Sequence, residues 1–422
     1  MTTNLQLAPQ VTLRAMQTDK FKTGCFSINF VRPHSAETAA ADALLPSVLL
    51  RATEQYPDIG SISAALDELY GATFGTLVRK KGEIKLTGFY ADFIEDDFLP
   101  EGDEVFRPMV AFAKEVLFHP FTENGCFCAR FVEGEKQNLV NAIESSLNEK
   151  RTYATLRLLE HMCGGEAYGV PRLGTVEAVR SITPEALWAY YRQLLRTSRI
   201  EIFYAGRRSP EEAAAVFASL FAGCEFDAPV PFGTEVVRTV DHPVRNCEET
   251  LDVLQGKLVL GFRTGITVAN PDFPALTLLN TVLGAGMTSK LFVNVREKRS
   301  LCYYASSSVE KYKGVMLISS GISVERRDEA QTAILNELEA CRRGEITEAE
   351  LESARTQLLS ALRAAMDAPA QLDDFYLGLA LTGGDDIPAL MEKLKDLTAA
   401  DLAAAAQKLA LDTVYFLKGE AQ

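Results

Sequence analysis

Hydrophobic and polar residues along this chain fall into two alternating regimes, and the regimes follow one another in the same order twice. Near the start, VTLRAMQ (11–17) and CFSINFV (25–31) set apolar or β-branched residues at every second position, the period of a half-buried strand. ETLDVLQ (249–255) and KLVLGF (257–262) repeat that pattern in the second half. A run with helical spacing comes next in each half, over about residues 37–52 and then 274–283, followed by a further helix. Each half continues into a pair of strands around KKGEIKLTGFYADF or KGVMLISSGISV, and closes on a strand, IEIFYAG or TVYFLKG.

The correspondence extends to the letters. FSINFVR (26–32) returns 231 positions later within KLVLGFRT, and Gly82 has its counterpart 232 positions on at Gly314. The block EKQNLVNAIESSLNEKRTYATLRLLEHMCGG, from Glu135, matches ARTQLLSALRAAMDAPAQLDDFYLGLALTGG, from Ala354, at an offset of 219. SITPEALWAYYRQLLRTSRIEIFYAG, from Ser181, returns from Asp396 at an offset of 215. Four ordered blocks with slowly shrinking spacing mark an internal duplication. The expectation is an α+β protein of two homologous halves, 1–225 and 247–422, each a largely antiparallel sheet packed with helices. The halves are expected to close as a clamshell with function between them. Residues 226–246, rich in Pro and short polar steps, read as the linker. Strands paired in hairpins, rather than alternating regularly with helices, argue against a doubly wound parallel sheet.

Helix starts are legible at Thr183 with Pro184 behind it, at Thr347 with Glu350, and at Thr398 with Asp401, because a hydroxyl followed three residues later by a carboxylate closes a capping box. Paired glycines at 164–165 and 383–384 predict helix ends. RKKGE (79–83) reads as a hairpin turn with solvated charges, and LGAGM (283–287) as a helix C-cap.

Composition narrows the functional classes. A chain of 422 residues with 47% hydrophobic and 24% charged residues is globular, and no apolar run reaches the roughly 20 residues a membrane helix needs. The first residues lack the basic start and apolar core of a secretory signal, which makes the expected location cytoplasmic. A net charge of −14 disfavours nucleic acid and tolerates a basic peptide. Eight cysteines without CxxC spacing form neither a disulfide framework nor a zinc ribbon, and the four histidines stand far apart. No cofactor is expected.

Two stretches carry a family resemblance: LGAGMTSKLFVNVREKRSLCYYASS (283–307) and GGEAYGVPRLGTVEAVRSITPEALWAYY (164–191). They are similar to motifs of the pitrilysin and insulinase family of inverted zincin peptidases and of the processing peptidases related to it, over nearly the whole chain. The resemblance implies paired α+β halves, a metalloprotease processing-peptidase-like fold, around a chamber for extended peptide. In active members it implies H-x-x-E-H on the first helix. Two His at i and i+4 share one helical face and hold zinc, and the Glu between them serves as base on the metal-bound water.

Laid over this chain, the motif falls on Ala43-Leu44-Leu45-Pro46-Ser47. Ala43 and Ser47 replace the ligands and Pro46 the base. Farther on, where the family carries E-x-x-x-x-x-x-E, Glu135 keeps the first place and Ala142 takes the ligand's. Pro46 also removes a backbone donor, at a cost of about 3 kcal/mol in a helix interior, which predicts a kinked or broken helix. The family's Arg and Tyr, seven apart in the second half and implied by the resemblance to reach the substrate backbone, are both present as Arg296 and Tyr303. A guanidinium and a phenol are fixed donors suited to a peptide carbonyl.

The implied protein is a catalytically inactive, peptidase-like subunit. Its implied partners are a zinc-bearing homologue, with which it would form a heterodimeric peptide-processing metallopeptidase, and a peptide or unfolded substrate. The alternative is a non-enzymatic peptide-binding or scaffold protein. A third class, an enzyme using Cys25 or Cys302, finds no Cys/His grouping to support it.

Overall fold

A computed structural model describes residues 2–419. The chain divides into two compact units, the first made of Met1–Glu144, Val170–Gly233 and Pro369–Leu377 and the second of Ser145–Gly169, Thr234–Ala368 and Gly378–Gln422. Each unit thus contains one segment from the opposite repeat.

The first unit is built on a six-stranded sheet. In chain order its strands are β1 (Thr3–Ala8), β2 (Val11–Gln17), β3 (Thr23–Pro33), β4 (Thr73–Lys81) and β5 (Ile84–Ile94); β6 (Thr122–Glu123) and β7 (Cys126–Phe127) form a small separate ribbon, and β8 (Arg199–Gly206) completes the sheet. The spatial order is β1-β2-β8-β3-β5-β4, with β2 and β8 parallel and the remaining pairs antiparallel. One face carries an aromatic core. Phe26, Phe93, Phe106, Tyr204 and Phe217 are buried there with ring centroids 5.3–6.1 Å apart, a tilted and edge-on arrangement suited to aromatic quadrupoles. The opposite face presents Ser27, Asn29 and Phe203, and the segment Pro369–Leu377 lies against it. Asp373 accepts from Ser27 Oγ at 2.5 Å and pairs with Arg79 Nη1 at 2.6 Å, while the Tyr376 and Phe203 rings stack at 6.3 Å.

That arrangement corrects one expectation. The β4–β5 hairpin turns at Gly82, whose φ is +60°, but the charges of RKKGE are not solvated. Lys81 is buried and donates to the Asp374 carboxylate at 2.8 Å and to its carbonyl at 2.9 Å, and Arg79 holds Asp373. Their partners stand nearly three hundred residues away in sequence, so no local pattern could announce them.

The second unit repeats the plan with five strands, β9 (Arg245–Thr250), β10 (Gly256–Arg263), β11 (Cys302–Glu310), β12 (Val315–Ile322) and β13 (Ala410–Lys418). Their order is β11-β12-β10-β13-β9, with only β13 and β9 parallel. Gly314, the counterpart of Gly82, turns the β11–β12 hairpin at φ +70°. Aliphatic residues of β10, β12 and the helices Phe273–Leu283, Arg327–Arg342 and Ala399–Gln407 fill one face. The helix Lys150–Met162, from the first repeat, covers the other, where Ala154, Leu158 and Met162 meet Val259, Val315, Leu317 and Tyr415.

The capping signals hold. Thr183 accepts from Ala186 N at 3.2 Å, and Thr347 with Glu350 and Thr398 with Asp401 close full capping boxes. Gly383, at φ +73°, ends the helix Pro369–Thr382. The α+β expectation and the largely antiparallel sheets agree with this architecture. Among the described residues no helix is long and apolar enough to cross a membrane.

Candidate functional site

In the first unit the helix Ala39–Leu49 carries the positions where a zinc motif would sit. Ala43 and Pro46 are buried and Ser47 is half-buried. Ala142 is exposed on the helix Ala129–Asn148. Glu135, about two turns earlier on that helix, pairs with Arg51 at 3.6 Å. An alanine methyl and a proline ring offer no lone pair to a metal. Among the described residues no group of three or more His, Cys, Asp or Glu is arranged to hold one.

Of the kinked or broken helix expected at Pro46, the structure overturns the break. Residues Ala39–Leu49 form one continuous helix, and Leu50 N donates to Pro46 O at 3.0 Å. The missing donor would have bonded the carbonyl of Asp42, four residues back. Thr87 on β5 fills that role, its Oγ1 donating to Asp42 O at 3.3 Å. A side chain from the sheet thus supplies the bond the proline removes.

Beside this helix lies a buried polar network that sequence reasoning missed. The Tyr190 hydroxyl donates to Asp42 Oδ1, and the Arg32 guanidinium lies 5.3 Å over the Tyr190 ring. Lys85, fully buried on β5, donates to Arg172 O. Burial raises the Asp42 pKa and lowers that of Lys85 to about 8. His34, buried, makes an Nε2 contact with Val170 O at 3.0 Å, and burial lowers its pKa to about 4. A lysine at an inward position of an alternating strand, as in IKLTGF, was the available signal.

The second unit brings Arg296 and Tyr303 together. The stretch Leu291–Lys298 is a π-helix, a rare, wider coil often found at functional positions, and two residues beyond its end the chain turns at Ser300, whose φ is +48°. The chain then enters β11, an edge strand. Arg296 Nε donates to the backbone carbonyl of Tyr303 at 3.0 Å, its Nη1 lies 3.2 Å from Glu297, and the guanidinium stacks 4.5 Å over the Phe292 ring. The Tyr303 side chain is 59% exposed. Arg296, Ser300, Cys302, Tyr303 and Ser323 line an open cavity of about 410 Å³.

The loop around Gly284 holds the same strand farther along. Gly284 N caps the helix Phe273–Leu283 by donating to Asn280 O at 2.9 Å, and Ser307 N donates to Gly284 O at 3.1 Å. A Cβ on Gly284 would fall 2.6 Å from Ser307 N, so the glycine is required for close approach as well as for the helix end. The outer edge of β11 is therefore bonded by the chain's own groups at Tyr303 and at Ser307.

The thiols do not form a nucleophilic site. Burial lifts Cys25 to about 12 and raises Cys302 as well, away from the thiolate that chemistry would need.

Comparison with known proteins agrees with these features. Residues 181–358 match the family model described as the Peptidase M16 inactive domain. The chain is 30% identical over 410 residues to the "Probable inactive metalloprotease YmfF" of Bacillus subtilis (strain 168), covering 97% of this chain and 96% of that protein. It is 28% identical over 207 residues to the "Uncharacterized zinc protease YmxG" of the same organism, covering 49% of each. Among solved structures, a conserved protein from Enterococcus faecalis V583 superposes with a TM-score of 0.92 at 30% identity, over 100% of this chain and 99% of that one. A peptidase M16 inactive domain from Pseudomonas fluorescens shares the fold, with a TM-score of 0.82 at 18% identity over 100% of this chain and 98% of that one.

Proposed function

The chain belongs to the M16 peptidase family, as an inactive member, and from that premise we propose that it is the non-catalytic subunit of a heterodimeric peptide-processing metallopeptidase. A zinc-bearing homologue supplies the metal and the base. This chain supplies Arg296 and Tyr303 to the backbone of an extended peptide substrate. The observation that carries the reading is that Arg296 and the exposed Tyr303 line one cavity in the second unit, while the ligand and base positions of the first, at Ala43, Pro46, Ser47 and Ala142, hold no His, Cys, Asp or Glu. Both side chains donate without a metal, and donors fixed in place stabilise a developing oxyanion. Repeats 1–225 and 247–422, joined by 226–246, are the proposed units of duplication. We place the protein in the cytoplasm, where its eight cysteines, all free, remain reduced.

The test is reconstitution with a zinc-bearing homologue from the same cell. The isolated chain is expected to bind no zinc by elemental analysis and to cleave no peptide, and the pair to cleave. Arg296→Ala and Tyr303→Phe are each expected to lower turnover of the pair by about 100- to 1000-fold, the range for removing a transition-state donor. Stoichiometric zinc in the isolated chain overturns the proposal. A second reading, a non-enzymatic peptide-binding or scaffold protein, is favoured by the fact that Arg296 already bonds its own strand and stacks on Phe292. Full turnover by a pair carrying both substitutions would select it.

A further inference from the structure

Away from the residues discussed so far, the first unit contains a second cavity, of about 300 Å³. Its walls are apolar: Phe118 at the end of the helix Phe106–Phe118, Leu195, Ile200 at the start of β8, and Phe221 and Phe226 from the stretch that follows the helix Pro210–Ala218. The rings are arranged around one another, Phe118 edge-on to Phe221 at 5.8 Å and Phe221 tilted to Phe226 at 6.4 Å. Such a volume exceeds that of one large side chain and lies at the lower end of small-molecule sites.

Three charged residues complete the lining, and they are not equivalent. Arg196 is fully engaged, its Nε and Nη2 donating to the two carboxylate oxygens of Asp227 at 2.9 and 3.0 Å. Arg192 and Glu225 line the same cavity, are exposed, and among the described residues form no ion pair. A single unpaired cation would suit an anionic amphiphile, and a single unpaired carboxylate an amine. One of each beside an aromatic and aliphatic wall suits a ligand with both charges and an apolar side chain.

We propose that this cavity binds a free hydrophobic α-amino acid, with the carboxylate on Arg192, the ammonium on Glu225, and an aromatic or branched side chain against Phe118, Phe221 and Phe226. Arginine takes a carboxylate through two parallel bonds, and the walls exclude polar side chains. Size excludes longer peptides from full burial. Neither the site nor its ligand depends on the subunit role proposed above, since none of its residues belongs to that machinery.

Cys224 provides a way to locate binding. Its thiol lines the cavity, half-buried, so an occupant shields it. The experiment titrates the full-length chain with L-phenylalanine, L-leucine, 3-phenylpropionate, phenethylamine, N-acetyl-phenylalanine amide and L-serine. Binding is followed by calorimetry, and alkylation at each cysteine by peptide mapping. L-Phenylalanine and L-leucine are expected to bind and to slow alkylation of Cys224 while leaving that of Cys126 unchanged. The two single-charge analogues are expected to bind at least tenfold more weakly, and L-serine and the uncharged amide not to bind. Arg192→Gln and Glu225→Gln, both exposed and so neutral for folding, are each expected to weaken L-phenylalanine about tenfold or more. Equal affinity for the amide and the amino acid overturns the proposal, as does binding that leaves Cys224 unprotected or that survives both substitutions. Failure of both L-phenylalanine and L-leucine to bind overturns it outright.

Discussion

Replacing Arg263 with methionine is expected to unfasten the second unit's sheet from the helix that covers it. Arg263 ends β10 with a side chain only 3% exposed. Its Nε donates to Asp412 Oδ2 at 2.9 Å, its Nη1 and Nη2 to the Glu166 carboxylate at 3.1 and 2.6 Å, and its Nη2 also to Met162 O at 2.7 Å. One guanidinium thus joins β10, β13 and the end of the helix Lys150–Met162. Without it, Asp412, itself buried, keeps the Thr413 hydroxyl at 2.7 Å but no cation within hydrogen-bond range, Arg245 and His242 standing at 3.8 and 3.9 Å. Glu166 keeps Lys313. Stranding one partner of a buried pair costs about 3–5 kcal/mol, and because Lys313 still neutralises Glu166, the expectation lies near the lower bound, about 3 kcal/mol.

Urea unfolding followed by circular dichroism measures the total, and hydrogen exchange locates it. Protection should fall in β10, β13 and the helix Lys150–Met162, with the six-stranded sheet of the first unit unchanged. The pH dependence has a definite sign. Burial alone would push the Glu166 pKa up, but its bonds from Arg263 and Lys313 outweigh that and hold it below the ordinary glutamate value. A carboxyl with a depressed folded pKa contributes stability above the unfolded value of about 4.3, and the contribution is lost as pH falls through the folded pKa. Arg263→Met should therefore flatten the acid side of the stability profile. A loss below about 1 kcal/mol, or equal loss of protection in both sheets, would refute this account of the cluster.

Thr87→Val leaves Asp42 O without a partner and should cost about 1–3 kcal/mol in denaturant, whereas in the Pro46→Ala background, where the helix supplies its own donor, the same change should cost distinctly less. An equal cost in both backgrounds would refute the compensation. Gly88→Ala and Gly261→Ala should differ: a Cβ at Gly88 would lie 1.8 Å from the Ile28 carbonyl oxygen, a backbone atom, while at Gly261 it would meet the movable ends of Met162 and Leu158 at 2.6 and 2.9 Å. Thermal unfolding should put the first beyond about 3 kcal/mol and the second near about 1 kcal/mol. His34, lowered to about 4 by burial, stays neutral in the folded chain while the unfolded chain takes up a proton below pH 6.5. Stability should fall with pH between about 6.5 and 4, by up to about 1.4 kcal/mol per unit, and His34→Gln should remove that slope in a denaturation series.

The duplication made most of the sheet architecture legible, because β3 and β10, the turns at Gly82 and Gly314, and the caps at Thr183 and Thr398 each repeat local chemistry that requires the same local structure. What stayed hidden depended on distant partners. Pro46 obeys its local rule, yet Thr87, forty-one residues on, supplies the bond it removes. Arg79 and Lys81 look like a solvated turn until Asp373 and Asp374 are brought beside them. The strand β1 went unread because TNLQLA has no fully buried residue, and it gains its place by pairing with β2 and by laying Leu5, Leu7 and Ala8 against the core. Arg296 and Tyr303 stood out as a pair only through the family resemblance. The bond between the guanidinium and the Tyr303 carbonyl was not legible, since it depends on the π-helical coil and the turn at Ser300.

Equivalent positions in the two repeats do different work. Arg32 and Arg263 end corresponding strands, 231 residues apart. In the second unit the arginine is neutralised by Asp412 and Glu166 and holds a helix in place. In the first it lies over Tyr190, whose hydroxyl binds Asp42, the neighbour of Ala43. The helix that would present metal ligands is instead fixed from beside them, by Tyr190 at the Asp42 carboxylate and Thr87 at the Asp42 carbonyl. Ala43, Leu44 and Leu45 meanwhile pack at 5%, 1% and 1% exposure. A histidine at Ala43 would have to enter a space that packing has already closed, and overfilling a core costs about 1–3 kcal/mol. Arg296 and Tyr303 have met no such closure, for Tyr303 is exposed and the cavity that both line is open.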